Sequence, residues 1–299
     1  INAGSEGRSI YSSTILNKMI QVIGNEVYTV SPNLSANKVG EIATFEGNVY
    51  IAENNSKQIA ICDLVNIYIY NYNDGSFTTV TSETLGFIPL YISFHNERFL
   101  AAAAPTVDGP STWRLSANGN GLSWPPENTG EFQTKPDSVV ALHRFPGKGN
   151  TIFVYGSTVV EVWQDVGAFP FPYQRNSSFD IEYGLLSPAT LATNDRLAVW
   201  LGANEKSGPV IMYSDGGEVR KISTDGIDFQ LSLLEQPSNS YGFLFMQDGH
   251  QLYQITFIEA DLTYVYDFNT DKFFTACDED MGAHIAKRVT FFNDSYYFV

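Results

Sequence analysis

A turn recurs along this chain, and its spacing limits the fold more than any other feature of the sequence. Six times an Asn or Gly stands three positions before a large apolar residue that opens or continues strand-like text. The instances run Asn48 to Ile51, Asn96 to Phe99, Asn150 to Phe153, Asn194 to Leu197, Gly249 to Leu252 and Asn293 to Tyr296. The steps are 48, 54, 44, 55 and 44 residues, averaging 49. Asn and Gly suit such places because tight hairpin turns demand positive φ, which these residues tolerate best. A second turn type falls between the first: Asn73-Asp74-Gly75, Asp215-Gly216-Gly217 and Asn269-Thr270-Asp271 each separate two strand-like runs. Two hairpins in that span are the content of one four-stranded propeller blade. Six such units account for nearly all of the 299 residues. The expectation is therefore an all-β chain: a β-propeller of about six to seven four-stranded blades with long inserted loops, 1–299 forming one domain. A β-sandwich or an irregular β-solenoid is the competing arrangement. Helical periodicity is confined to the first twenty residues, where Ser12-Ser13-Thr14 is a candidate cap and a strand fits equally well.

Composition agrees with strands. Aromatic residues reach 14%, charged residues only 17%, and 43% of the chain is hydrophobic, enough for a core. No apolar run approaches the ~18 residues of a membrane span. Cys62 and Cys277 stand far apart without metal or disulfide spacing, so both are expected as small core residues. The chain starts at Ile1-Asn2-Ala3 and stops in the apolar run Tyr296 to Val299, which is expected of an internal piece of a longer polypeptide. Basic residues number 17 against 33 acidic ones, a net charge of −16. That balance argues against gripping a nucleic-acid backbone, though not against DNA passing nearby.

Catalytic signatures are missing. No GxSxG elbow, Walker A, HExxH or GxGxxG in strand–helix context occurs. His95, His143, His250 and His284 are scattered, and His95 and His250, beside repeat turns, are expected to be exposed. Asp278-Glu279-Asp280 lacks calcium-loop spacing and reads as a solvated loop. The expectation is no catalytic, cofactor-binding or metal residues, and no cofactor. Asn118-Gly119-Asn120-Gly121-Leu122-Ser123-Trp124 partly matches the Asp-box hairpin of sialidase-type propellers, with Gly119 in the Asp place. Proline and glycine density in 105–136 and 168–173 marks irregular excursions, the natural places for contacts with partners. Pro170 and Pro172 lack the N–H groups that a central strand requires.

From about residue 90 an ordered series of segments resembles a known family. Trp113 with Ser123-Trp124 is similar to its tryptophan-rich loop, and Lys135-Pro136-Asp137-Ser138-Val139 to its Pro-Asp strand. Phe153 through Trp163 follows, then Phe169-Pro170-Phe171, Ile181-Glu182-Tyr183-Gly184, Trp200-Leu201-Gly202, Gly216-Gly217 through Thr224, His250-Gln251-Leu252 and Val265-Tyr266-Asp267. The family is that of the tail hub, or nozzle, proteins of short-tailed double-stranded-DNA phages, also called packaged-DNA stabilisation proteins. Residues 1–90 match it only in rhythm. The resemblance implies a structural virion protein and no enzyme: a homo-oligomeric ring, a hexamer, in the phage tail below the portal and its head-to-tail adaptor ring. It further implies that the ring retains packaged DNA, supports tailspikes or fibres, and passes double-stranded DNA through its lumen without tight binding. A net −16 per subunit is compatible with walls that repel phosphates. The alternative, motivated by the aromatic load and the partial Asp box, is a propeller domain binding or cleaving host surface polysaccharide.

Overall fold

The computed structural model describes residues 5–105 and 111–299. Its strands form six four-stranded antiparallel meanders, each from consecutive strands. Blade 1 holds β1 (Gly7–Ser13), β2 (Lys18–Ile23), β3 (Glu26–Val30) and β4 (Ala36–Glu41). Blade 2 holds β5 (Tyr50–Glu53), β6 (Gln58–Cys62), β7 (Ile67–Asn71) and β8 (Ser76–Val80). Blade 3 is β9 (Pro89–His95), β10 (Arg98–Ala103), β11 (Thr112–Leu115) and β12 (Thr129–Glu131). Blade 4 is β13 (Ala141–Arg144), β14 (Thr151–Tyr155), β15 (Val160–Asp165) and β16 (Tyr173–Ile181). Blade 5 comprises β17 (Ala192–Thr193), β18 (Ala198–Gly202), β19 (Val210–Ser214) and β20 (Val219–Lys221). Blade 6 comprises β21 (Ser240–Gln247), β22 (His250–Phe257), β23 (Leu262–Asp267) and β24 (Lys272–Ala276). The fold is a six-bladed β-propeller of four-stranded antiparallel sheets. Among the described residues a seventh sheet has two strands, β25 (Val289–Phe292) and β26 (Ser295–Phe298).

Burial follows position within the blade. The second strands β6, β14 and β18 are buried at every residue, whereas the outer strands β4 and β16 are mostly exposed. A second strand has neighbouring blades on both faces, so both sets of its side chains leave water and its sequence reads as continuous apolar text. An outer strand lies at the rim and keeps polar residues.

Because each meander runs up and down, the turns joining strands 1–2 and 3–4 lie on one face of the disc, here the turn face. The 2–3 turns and the links between blades lie on the other, the connection face. Five of the six repeated turns, at Asn96, Asn150, Asn194, Gly249 and Asn293, are strand 1–2 turns of five successive sheets. Asn48 is out of phase: it precedes β5, and the matching turn of blade 2 is Asn54–Lys57, where the buried Asn54 carboxamide accepts the Ser56 and Gln58 N–H groups. All three turns of the second type join strands 3 and 4, in blades 2, 5 and 6.

The two-stranded sheet closes the circle. Strand β25 lies between β21 of blade 6 and β1 of blade 1. Phe292, Tyr297 and Val299 pack with Ile10, Met19 and Val30 of blade 1. Phe298 meets Phe243 and Phe245 of blade 6 edge-on.

One open reading is decided and two expectations are corrected. The Ser12–Ile20 region is the β1–β2 hairpin, in which the Ser13 hydroxyl accepts the Leu16 N–H and closes a turn instead of capping a helix. Helices occur elsewhere, on links between blades: α1 (Ser82–Leu85) and α2 (Asp225–Ser232), each capped by a threonine, Thr81 and Thr224. They are too short for periodicity to reveal. Cys62 is fully buried in β6, but Cys277 is exposed because it begins the link after blade 6 and lies outside the blade cores. Among the described residues no helix is long and apolar enough to cross a membrane.

Candidate functional site: the propeller axis and the faces around it

The Pro/Gly-rich stretch 105–136 is more ordered than its composition suggests. Residues 106–110, including Asp108-Gly109-Pro110, lie outside the described residues. The remainder supplies β11 and β12, and the Asp-box-like segment folds back onto blade 2. The Gly121 N–H donates to Gln58 Oε1 at 2.8 Å, and the Gly119 N–H to the Glu97 carbonyl. The Trp124 indole donates to the Gly121 carbonyl at 2.8 Å while its ring packs edge-on against Phe87. At 168–173 the prolines exclude pairing, and β16 begins only at Tyr173. Phe171 is tucked against Trp113 and Trp163, but Phe169 stands 95% exposed.

The Pro-Asp segment and the Phe153–Trp163 segment, read separately in the sequence, are clamped together by two carboxylates. Asp137 accepts the Ser157 and Thr158 N–H groups at 2.9 and 2.8 Å and both of their hydroxyls. Burial pushes its pKa up, yet these four hydrogen bonds outweigh burial and hold it below the ordinary carboxylate value. Glu161, fully buried at the start of β15, accepts the Gln133 and Thr134 N–H groups at 2.7 and 2.6 Å and the Trp163 indole at 2.8 Å. Arg175 Nε stands 3.4 Å away. These side chains fasten the link between blades 3 and 4, a role no spacing in the sequence signals.

The histidines are bridges. His95 is buried, contrary to expectation, because it ends β9 where blade 4 covers it: Nδ1 lies 2.7 Å from the Tyr173 hydroxyl and Nε2 2.8 Å from the Gly149 carbonyl. A carbonyl only accepts, so Nε2 carries the proton and Nδ1 accepts from Tyr173. His143 on β13 reaches blade 5 through Nε2 and the Thr193 hydroxyl at 2.8 Å. His250 pairs with Asp267 at 2.8 Å on the turn face, and His284 meets Gln254. Asp278 accepts the Asp280 and Gly282 N–H groups and shapes its own turn. Among the described residues no three His, Cys, Asp or Glu side chains are grouped to hold a metal ion.

Charge is divided between the faces. The connection face exposes Glu46, Glu83, Glu182, Glu205, Asp225, Glu235, Glu259, Asp261, Glu279 and Asp280. On the turn face Lys57, Lys148, Arg196, Arg220 and Lys272 stand among the carboxylates of Asp74, Glu97, Glu127, Asp195, Asp215, Glu218, Asp248, Asp271 and Asp294. Of exposed cations in its turns the connection face has Lys206, so the acidic excess is larger on that side of the disc.

At the centre the innermost strands converge on two small recesses that share Arg288. One, of about 190 Å³, is lined by Tyr50 of β5, Tyr91 of β9, Ala189 and Leu191 ahead of β17, and Phe243 of β21. The other, of about 220 Å³, is bordered by Glu6, Arg8, Asn48 and Lys287. The first has room for about six water molecules. Arg288 donates through Nη1 to the Ala189 and Lys287 carbonyls at 3.0 and 3.1 Å and through Nη2 to Asn48 Oδ1 at 3.4 Å. Burial lowers its pKa from the ordinary arginine value, and the ionisable neighbours opposing that shift are the tyrosines Tyr50, Tyr91, Tyr241 and Tyr253. A duplex cannot pass through recesses of this size.

The family model described as Bacteriophage P22 Gp10, beta-propeller, matches residues 2–275. No curated protein sequence matches the chain significantly. Among solved structures, a streptogramin B lyase is similar over 100% of this chain and 92% of that one, with a TM-score of 0.61 and 12% identity. A chain of the mitotic checkpoint complex is similar over 99% and 86%, at 0.56 and 11%. An ancestral GH74 enzyme is similar over 92% of this chain, at 0.58 and 15%, and this chain spans 38% of that one's length. At such identities the likeness is one of fold alone.

Proposed function

This chain belongs to the phage stabilisation family described as Bacteriophage P22 Gp10, beta-propeller, and from that membership we propose that it is a subunit of the tail hub, or nozzle, of a short-tailed phage. In this reading the span 1–299 acts as one propeller unit. Copies of it assemble into a hexameric ring beneath the portal and adaptor ring, retain the packaged genome and pass it on ejection. The observation that carries the reading is the family match across nearly the whole chain.

Two features support how such a ring would work. The two recesses beside Arg288 are too small for a duplex, which leaves the space between subunits as the passage for DNA. The acidic connection face suits the wall of that passage, because carboxylates repel phosphates and leave a polyanion free to slide. The tip at Phe169, exposed beside the well-packed Phe171, is an apolar part of the two predicted contact segments that is open to a neighbouring subunit or adaptor. The polysaccharide reading is less favoured: Trp113, Trp163 and Trp200 are buried between blades, out of reach of a sugar, and Trp124 is half-buried against Phe87.

Electron microscopy of the protein mixed with a portal–adaptor complex tests the proposal. The expected result is a ring docked coaxially, with the connection faces towards an open channel. Isolated discs that ignore the portal would overturn it.

A further inference from the structure

We propose that the recess beside Arg288 is a binding site for a single carboxylate group, whether of a small free acid or of a peptide. The inference rests on the axis alone and does not depend on the tail-hub reading. Arg288 is a half-buried cation at the centre of a chain of net charge −16, and its acceptors are two backbone carbonyls and one amide oxygen. A cation partly withdrawn from bulk water attracts an opposite charge more strongly than a fully solvated one. The neighbouring cations are already engaged: Lys287 pairs with Glu6, and Arg8 donates to the carbonyls of Gly24, Thr44, Glu46 and Gly47. Three of the five guanidinium N–H groups are accounted for among the described residues, leaving Nε and one N–H of Nη2.

The walls have the composition of a small-ligand site: an apolar surround with few polar groups. Leu191, Ala189 and Phe243 supply the apolar part. Tyr50 and Tyr91, with ring centroids 4.5 Å apart, supply hydroxyls. Burial pushes the Tyr91 pKa up to about 12 and that of Tyr50 upward as well, so both remain O–H donors at neutral pH. Donors without a basic acceptor select an anion, and a planar guanidinium matches a planar carboxylate. The volume of about 190 Å³ admits one acidic side chain or chain end. The carboxylates of the connection face count against a nucleic-acid phosphate, whose neighbouring phosphates they would repel.

Calorimetric titration of the full chain tests the site with four probes: glutarate, acetyl-Gly-Gly-Glu-amide, its Gln counterpart, and inorganic phosphate. The expected result is binding of the Glu peptide or of glutarate, with the Gln peptide weaker by about tenfold or more. Glutarate binding alone assigns the site to a free acid, and stronger peptide binding assigns it to a protein-borne group. Arg288→Gln should abolish the signal. Because that change could unfold the centre, Tyr91→Phe, which keeps the ring and removes one donor, should weaken binding several-fold with an unchanged melting curve. Failure of both carboxylate probes to bind would overturn the proposal. So would equal binding of the Gln peptide, phosphate binding as tight as either acid, or indifference to Tyr91→Phe.

Discussion

His95 and His143 tie blades 3, 4 and 5 together, and both do so as neutral rings. Burial lowers both pKa values, that of His143 from an ordinary 6.5 to about 4. The folded protein therefore binds this proton less readily than the unfolded chain, and stability is lost as pH falls from about 6.5 towards 4. For His143 the loss amounts to about 3 kcal/mol. Urea denaturation across that range should show the slope, and His143→Gln should flatten it. Asp137 acts in a lower window: its folded-state pKa is depressed, so its contribution is complete above the ordinary aspartate range and disappears as pH drops below it. Glu161 is the harsher test. Glu161→Ala leaves the Gln133, Thr134 and Trp163 N–H groups and Arg175 without their shared acceptor, and should cost about 3–5 kcal/mol by the same measurement. An effect below 1 kcal/mol would remove Glu161 from the role given to it here.

Among elements, the loop Asn118–Trp124 shows how a composition that reads as disorder hides a fastening. Gly121 is indispensable there, since a Cβ would lie 2.7 Å from Ile69 Cδ1 and 2.8 Å from Phe99 Cε2. Gly121→Ala should cost about 1–3 kcal/mol through overpacking, whereas Leu122→Ala, at an exposed neighbouring side chain, should change stability by less than about 0.5 kcal/mol. The turns were the legible part of the sequence, because positive φ restricts them to few residue types. Asn48 misled because Asn is equally at home in a link between blades. Strands β11 and β12 were illegible because they are three or four residues long and set among glycines and prolines. The two helices escaped for the same reason of length.

For the whole molecule, the strand rhythm and the ordered motifs foretold the fold and the family, whereas nothing in the linear text foretold the axis. Tyr50, Tyr91 and Arg288 come from three distant parts of the chain and meet only because the blades form a circle. The division of charge between faces was likewise invisible, since alternate loops go to opposite sides. With the connection face acidic, duplex DNA should show no retention by the protein at 150 mM salt in a mobility-shift experiment, and sub-micromolar retention there would contradict the repelling wall. The two-stranded sheet β25–β26 has a further consequence. Outward tension on a circular array passes through every joint in series, so the narrowest joint sets the load the array can bear. Within residues 5–299 that joint is a two-stranded wedge, and a disc made of this span alone should part beside blade 1 or blade 6 before any blade is torn, much as a bracelet opens at its clasp.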